Sequence, residues 1–347
     1  MNLLKLKETF YLESGQVLPE LEIGFHTYGK LNKNKTNVVW VCHALTGNSN
    51  VEEWWNGLFG EGKALDPESM FIVCANSLGS CYGTSGPLSE HLIERGLGFH
   101  RFPKFTIRDM VNLNVVLMRQ LGIHSIDLLI GASIGGQQAL EWSIQYPAQI
   151  KNLVLVASNA LHSPFGIACN QSQRLAIEAD HSWKGSHPTS GLNGLKAARS
   201  MAMLNYRTYE AYENSQSEDS PEKLWGYKAE NYQSHQGNQL VKRFNAFSYF
   251  RLSQAMDSHQ IGRNRGGTIK ALGCVQANTL VASLEGDLLF PKNEQMVMHK
   301  YITKSKFKMI NSSFGHDGFL IETKQINHSI KSFVRQKRID QQVKHHV

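Results

Sequence analysis

The sequence predicts an α/β fold: a mostly parallel sheet flanked by helices, interrupted once by a helical insertion. Three observations predict it. Apolar runs of strand length recur at Asn37–Cys42, Met70–Ala75, Ile126–Ile130, Leu153–Ala157, Thr279–Leu284 and Lys306–Ile310, and such runs suit strands covered on both faces. The early runs alternate with segments of helical period, as parallel strands joined by crossovers require. From about residue 160 to 266 the runs stop, and then they resume. The expected organisation is therefore a core formed by 1–159 and 267–347, with a helical lid over 160–266.

Composition bounds the function classes. The chain has 347 residues, 41% hydrophobic and 19% charged, an ordinary globular balance. No apolar run reaches the roughly 18–20 residues that span a bilayer, and the N-terminal stretch has no signal-peptide pattern, so a cytoplasmic protein with no membrane partner is expected. The formal charge of +7 is spread out except for a basic end at Lys331, Arg335, Lys337, Arg338 and Lys344. With no stacking-aromatic or helix-turn-helix pattern beside it, that end reads as a solvated tail or helix face and no nucleic-acid partner is expected; the positive field can attract an anionic substrate or cofactor. The five cysteines lack C-x-x-C spacing, so reduced thiols are expected and no metal site. Cys42 and Cys74 fall in apolar runs and read as core.

Taken in order, Thr9–Tyr28 alternates around Gly15 and Pro19, the pattern of an antiparallel hairpin at a sheet edge. Asn37–Cys42 opens into His43-Ala44-Leu45-Thr46-Gly47, at the strand end where ligands bind in open α/β sheets. Backbone N–H groups here, at Leu45, and at Ile134 are candidates for an oxyanion hole. His43 reads as a residue that fixes this loop rather than as a base. Glu52–Gly62, with Trp54, Trp55 and Phe59, either walls a pocket or caps the core. Met70–Ala75 runs into a small-residue loop, Asn76–Pro87, of the kind that shapes pockets. Thr106 with Asp109 three residues on is a helix start with a capping box. Inside the insertion, helices are predicted at Gln171–Ala179, Leu195–Leu204 and Lys242–Met256, joined by polar stretches such as Asn214–Glu222. The last two apolar runs lead into Glu285–Pro291 and Asn311–Leu320.

The turn Gly131-Ala132-Ser133-Ile134-Gly135 matches G-x-S-x-G between a strand and a helix, the context of a nucleophile elbow. Its glycines leave room beside the neighbouring strand and helix, and the helix N-terminus favours developing negative charge. Taken alone, such a turn also serves as a structural joint or a phosphate cradle. Serine is a weak nucleophile that needs a base, and the base needs an orienting carboxylate. Asp287 and His316 each follow a later strand, and the order Ser133, Asp287, His316 is that of a triad on an α/β-hydrolase sheet. Glu285 is the competing acid, with Asp287 deeper in its loop. This chemistry is acyl transfer through an acyl-serine, with water or another hydroxyl as acceptor.

Several stretches are far more specific than the elbow. Cys42-His43-Ala44-Leu45-Thr46-Gly47, Cys81-Tyr82-Gly83 to Gly86-Pro87, Thr106–Val111, Gln138-Ala139-Leu140-Glu141-Trp142, Gln173-Arg174, part of Leu288–Pro291, and Gly315-His316-Asp317 together resemble the homoserine O-acetyltransferases, over residues 9–330. The resemblance implies an α/β-hydrolase core with a helical lid, acetyl-CoA as co-substrate with no tightly bound cofactor, L-homoserine as acceptor in methionine biosynthesis, ping-pong kinetics and a homodimer. It places the nucleophile at Ser133, the acid at Asp287, the base at His316, and the amino-acid contacts at Arg199, Tyr206 and Asp317. A zwitterion suits such a set, a guanidinium for its carboxylate and a carboxylate for its ammonium; a surface role for Arg199 and helix capping for Asp317 are the alternatives. The chain departs from the family at Ala132, usually glycine, at Ile134, usually methionine or leucine, and in a short stretch between Trp183 and Arg199. Neighbouring readings keep the triad and change the substrates: a homoserine O-succinyltransferase, a serine O-acyltransferase or an esterase. A binding protein on the same fold that has lost catalysis is a further one, against which all three triad residues stand.

Overall fold

A computed structural model describes the backbone of residues 1–344 and the side chains of residues 1–335. Its strands are β1 (Asn2–Leu6), β2 (Phe10–Tyr11), β3 (Val17–Leu18), β4 (Leu21–Tyr28), β5 (Val38–Cys42), β6 (Phe71–Ala75), β7 (Ile126–Ala132), β8 (Ile150–Val156), β9 (Asn278–Leu284) and β10 (Ser305–Ile310). Eight of them form one sheet in the order β1-β4-β6-β5-β7-β8-β9-β10. β5 to β10 run parallel, while β4 pairs antiparallel with both β1 and β6. The fold class read from the apolar runs holds, and each run is a strand to within a few residues.

Every residue of β5 is buried, because helices cover both faces. Alternate side chains go to opposite faces of a strand, so Val38, Trp40 and Cys42 join one core and Val39 and Val41 the other. The first core lies under α3 (Ile107–Gln120) and α4 (Ile134–Gln145), numbered after α1 (Val51–Trp54) and α2 (Glu90–Ile93). There the Trp40 and Trp142 rings meet edge to face, centroids 5.2 Å apart, a contact worth roughly 1 kcal/mol beyond the area buried. Cys42 and Cys74 are buried within β5 and β6. The α3 cap forms as expected: the Thr106 side chain accepts from the Asp109 N–H, and the Asp109 carboxylate accepts from the Thr106 N–H at 2.8 Å.

After β8 the chain leaves the sheet through α5 (Pro164–Glu178), α6 (Leu192–Tyr206), α7 (Tyr209–Gln216), α8 (Lys228–Val241), α9 (Ala246–Asp257) and α10 (Thr268–Gly273). It returns at β9, which lies beside β8. α11 (Lys292–Tyr301) then joins β9 to β10, and α12 (Gly318–Ile321) and α13 (Thr323–Lys344) follow. Ile326, Ile330 and Phe333 of α13 pack in the second core. Among the described residues no helix is long and apolar enough to cross a membrane.

Four expectations are corrected. The hairpin within Thr9–Tyr28 exists, but β2 and β3 form a separate two-stranded ribbon, and the sheet edge is β1 paired with β4. β1 is short and mostly exposed, so its apolar signal is weak. α5 starts at Pro164, not Gln171, because Ser163 caps it and proline is tolerated at the first helical position. α7 runs to Gln216 under a Thr208 cap, so the polar stretch beginning at Asn214 is helical at its start. The predicted helix Lys242–Met256 is broken: Lys242 ends α8, and Asn245 caps α9 by accepting from the Ser248 N–H at 2.8 Å. Of the basic end, Lys331 is tied down, its ammonium donating to the Gly62 carbonyl; the side chains of Lys337, Arg338 and Lys344 lie outside the described residues.

Candidate active site

Ser133 sits between β7 and α4 with φ 56° and ψ −129°, a left-handed backbone that a side chain tolerates only under compulsion. The compulsion is close packing. A Cβ at Gly131 would lie 2.1 Å from the Gly135 carbonyl oxygen, and one at Gly135 would lie 2.1 Å from that of Cys42 at the end of β5. Glycine at both places lets the turn press against strand and helix and lifts Ser133 above the sheet.

His316, in the loop after β10, brings Nε2 to 3.0 Å from Ser133 Oγ and Nδ1 to 2.9 Å from Asp287 Oδ2. The carboxylate accepts a hydrogen bond from Nδ1–H and so keeps the proton on Nδ1, which leaves Nε2 to accept from the serine hydroxyl. The other Asp287 oxygen accepts from the Leu289 and Phe290 N–H groups at 2.9 Å each, so the acid cannot swing away. All three residues are buried. Phe290 and Phe319 pack beside the imidazole, centroids 5.1 and 5.4 Å away. Glu285 is exposed, and Asp287 is the carboxylate that meets the histidine.

The loop after β5 is fixed from below. His43 donates from Nδ1 to the Ala44 carbonyl at 2.8 Å and accepts at Nε2 from the Ser77 N–H at 3.0 Å. Burial pushes its pKa down to about 4, so the ring is neutral and fixes the loop, as expected. The Gly47 N–H donates to the same Ala44 carbonyl at 2.8 Å. A trans peptide points its C=O and N–H in opposite directions, so holding the Ala44 carbonyl twice aims the Leu45 N–H outward. Ile134 opens α4, and its N–H is one of the orphan donors at a helix start.

A cavity of about 360 Å³ collects these groups. Leu45, Ser133, Arg199, Tyr206, His316 and Asp317 all line it, with Trp54, Glu53 and Arg243. Trp54 thus walls the pocket, whereas its neighbour Trp55 is core. A larger cavity of about 570 Å³ beside Lys5, Cys81 and His91 holds none of the triad, and chemistry follows the convergent groups rather than the volume. The Arg199 guanidinium lies over the Tyr206 ring, 5.5 Å from its centroid, and among the described residues no salt bridge holds it. Tyr206 in turn lies 5.5 Å from the His316 ring, and burial holds its phenol above the usual range, hence protonated. Asp317 begins α12 without a side-chain capping bond; its Oδ2 instead accepts from Arg207 Nε at 3.1 Å. Sequence reading missed Arg207 and Arg243. Arg207 follows Tyr206 directly and is found only once the insertion docks on the His316 loop; Arg243 is hidden by the helix break.

The chain matches the family model of the alpha/beta hydrolase fold over residues 37–323. It is 45% identical over 327 residues to a homoserine O-acetyltransferase of Cyclobacterium marinum, covering 94% of this chain and 93% of the relative. A homoserine O-acetyltransferase of Chlorobaculum parvum is 42% identical over 339 residues, 97% and 95% of the two chains. Among solved structures, the homoserine O-acetyltransferase of Bacillus anthracis superposes with a TM-score of 0.88 at 25% identity, over 96% of each chain. Esterase E22 superposes with 0.85 at 23% identity, over 96% of this chain and 99% of the other, a likeness of fold alone. The glycine-bound elbow, the buried Ser133–His316–Asp287 hydrogen-bond chain and identities of 45% and 42% over nearly the whole of two relatives agree: the chain belongs to the homoserine O-acetyltransferase family, on the α/β-hydrolase fold.

Proposed function

We propose that this chain moves the acetyl group of acetyl-CoA to the side-chain hydroxyl of L-homoserine through an acetyl-Ser133 intermediate, with residues 160–266 acting as the lid. The observation that carries the reading is convergence: the Ser133–His316–Asp287 relay opens into the same cavity as Arg199, Tyr206 and Asp317. Ser133 Oγ attacks the thioester carbonyl as His316 Nε2 takes its proton. The oxyanion is stabilised by the N–H groups of Leu45 and Ile134. When the C–S bond breaks, His316 returns the proton to the departing thiolate, and Asp287 stabilises the imidazolium in between.

In the second half the homoserine hydroxyl gives its proton to His316 and attacks acetyl-Ser133, the same oxyanion site serves again, and as the acyl C–Oγ bond breaks His316 returns the proton to Ser133 Oγ. Arg199 holds the amino-acid carboxylate and Asp317 the ammonium, with Arg207 fixing the Asp317 carboxylate in place. A lid that excludes water while admitting the amino acid favours transfer over hydrolysis. Location in the cytoplasm and a homodimer belong to the same proposal. A matrix of donors and acceptors tests it. Acetyl-CoA with homoserine should be the fastest pair, ahead of succinyl-CoA as donor and of serine or water as acceptor; faster release of acetate than of O-acetylhomoserine would make the protein an esterase instead.

A further inference from the structure

The break between α8 and α9 places Arg243 against two core loops at once. Its Nη1 donates to the Thr46 carbonyl at 2.5 Å and to the Tyr82 hydroxyl at 2.8 Å, and Nη2 reaches Thr46 Oγ1 at 3.4 Å. The joint around it is docked as well: the Cys81 thiol lies 3.6 Å from the Arg243 carbonyl oxygen, and the Phe244 ring meets Tyr82 edge on, centroids 5.8 Å apart. Thr46 belongs to the turn closed by the Gly47 N–H on the Ala44 carbonyl. His43 therefore holds that turn from the core side, and the only other side-chain donors to its carbonyls, among the described residues, come from Arg243 on the helical insertion. A planar fork with several donors in fixed directions suits this task, and an ammonium does not.

We infer that Arg243 is a positioning residue for the oxyanion loop, fixing Ala44–Gly47 from the insertion so that the Leu45 N–H is aimed at the reacting carbonyl. The inference rests on the acyl-serine reading above. An oxyanion site serves both half-reactions, whereas a substrate ligand serves one, and this separates the roles. A misaimed donor costs less than a deleted one, which is worth on the order of 100-fold or more in rate.

The test compares wild type with Arg243→Met and Arg243→Lys in three reactions: acetylation of Ser133 by acetyl-CoA, its deacetylation by homoserine, and phosphonylation by a fluorophosphonate. In the third, the Ser133 Oγ–P bond forms, fluoride leaves and the serine proton passes to His316, with neither natural substrate needed. Arg243→Met should slow all three by a similar factor of about 10 or more, with half-saturating concentrations nearly unchanged and the thermal midpoint retained. Added guanidinium should restore part of the rate, and Arg243→Lys should recover little. Unchanged phosphonylation, slowing confined to the homoserine step, or a loss that follows unfolding in the melt would each overturn the inference. Failure of wild type to acetylate at all would overturn the function proposed above and leave Arg243 to be judged by the phosphonylation rates.

Discussion

At the scale of single residues, the proposed reaction assigns recognition to Arg199 and bond-making to Ser133. The guanidinium of Arg199 rests on Tyr206 and has no salt bridge among the described residues, so it is free to meet a carboxylate. Arg199→Ala should therefore raise the homoserine KM by roughly 10-fold or more, the worth of a charge-assisted bond, while acetylation by acetyl-CoA keeps its rate. Steady-state kinetics alongside the acetylation burst checks this, and an unchanged KM removes Arg199 from the site. The triad was legible because Ser133, Asp287 and His316 each follow a strand, and strand ends on one side of a parallel sheet share a crevice. Arg199, Tyr206 and Asp317 were reached only through resemblance, since nothing in their spacing marks them. Arg243 was not legible at all: Lys242-Arg243-Phe244 contains no glycine or proline, and the one local signal of a joint is Asn245 as a helix cap.

At the scale of elements, what fixes the site is the fit of turn to strand and the caps that start the helices. Gly135 touches the Cys42 carbonyl with nothing to spare, so Gly135→Ala should prevent stable folding or cost several kcal/mol, since a strained core contact costs about 1–3 and strain at the elbow adds to it. Thr106→Ala, remote from the triad, should lower stability by about 1 kcal/mol and leave kcat unchanged. Denaturant melts and kcat on the two variants check both, and a fully stable Gly135→Ala enzyme would refute the close-packing account of the elbow. The sequence showed these elements clearly where period and cap agree, as at Thr106. It failed where an element depends on a partner: β1 is strand only because β4 offers it an edge.

At the scale of the whole molecule, three buried histidines make the fold sensitive to acid. Burial lowers His43 to about 4 and His162 and His259 to about 3. The unfolded chain takes protons on these rings below about pH 6.5 and the folded chain refuses them, so their stabilisation is complete above that pH and is lost as it falls. Asp109, Asp257 and Glu294, raised by burial, act in the opposite sense and offset part of this loss. Between pH 7 and 5 the Tm should drop by roughly 5–10 °C; a flat Tm would show that these rings are not buried and neutral. The central claim is an acetyl group resting on Ser133, and intact-mass spectrometry after brief mixing with acetyl-CoA tests it most directly. Wild type should gain one acetyl group, Ser133→Ala none, and added homoserine should discharge the label as O-acetylhomoserine. Equal labelling of both proteins, or a label that homoserine leaves in place, would contradict the account.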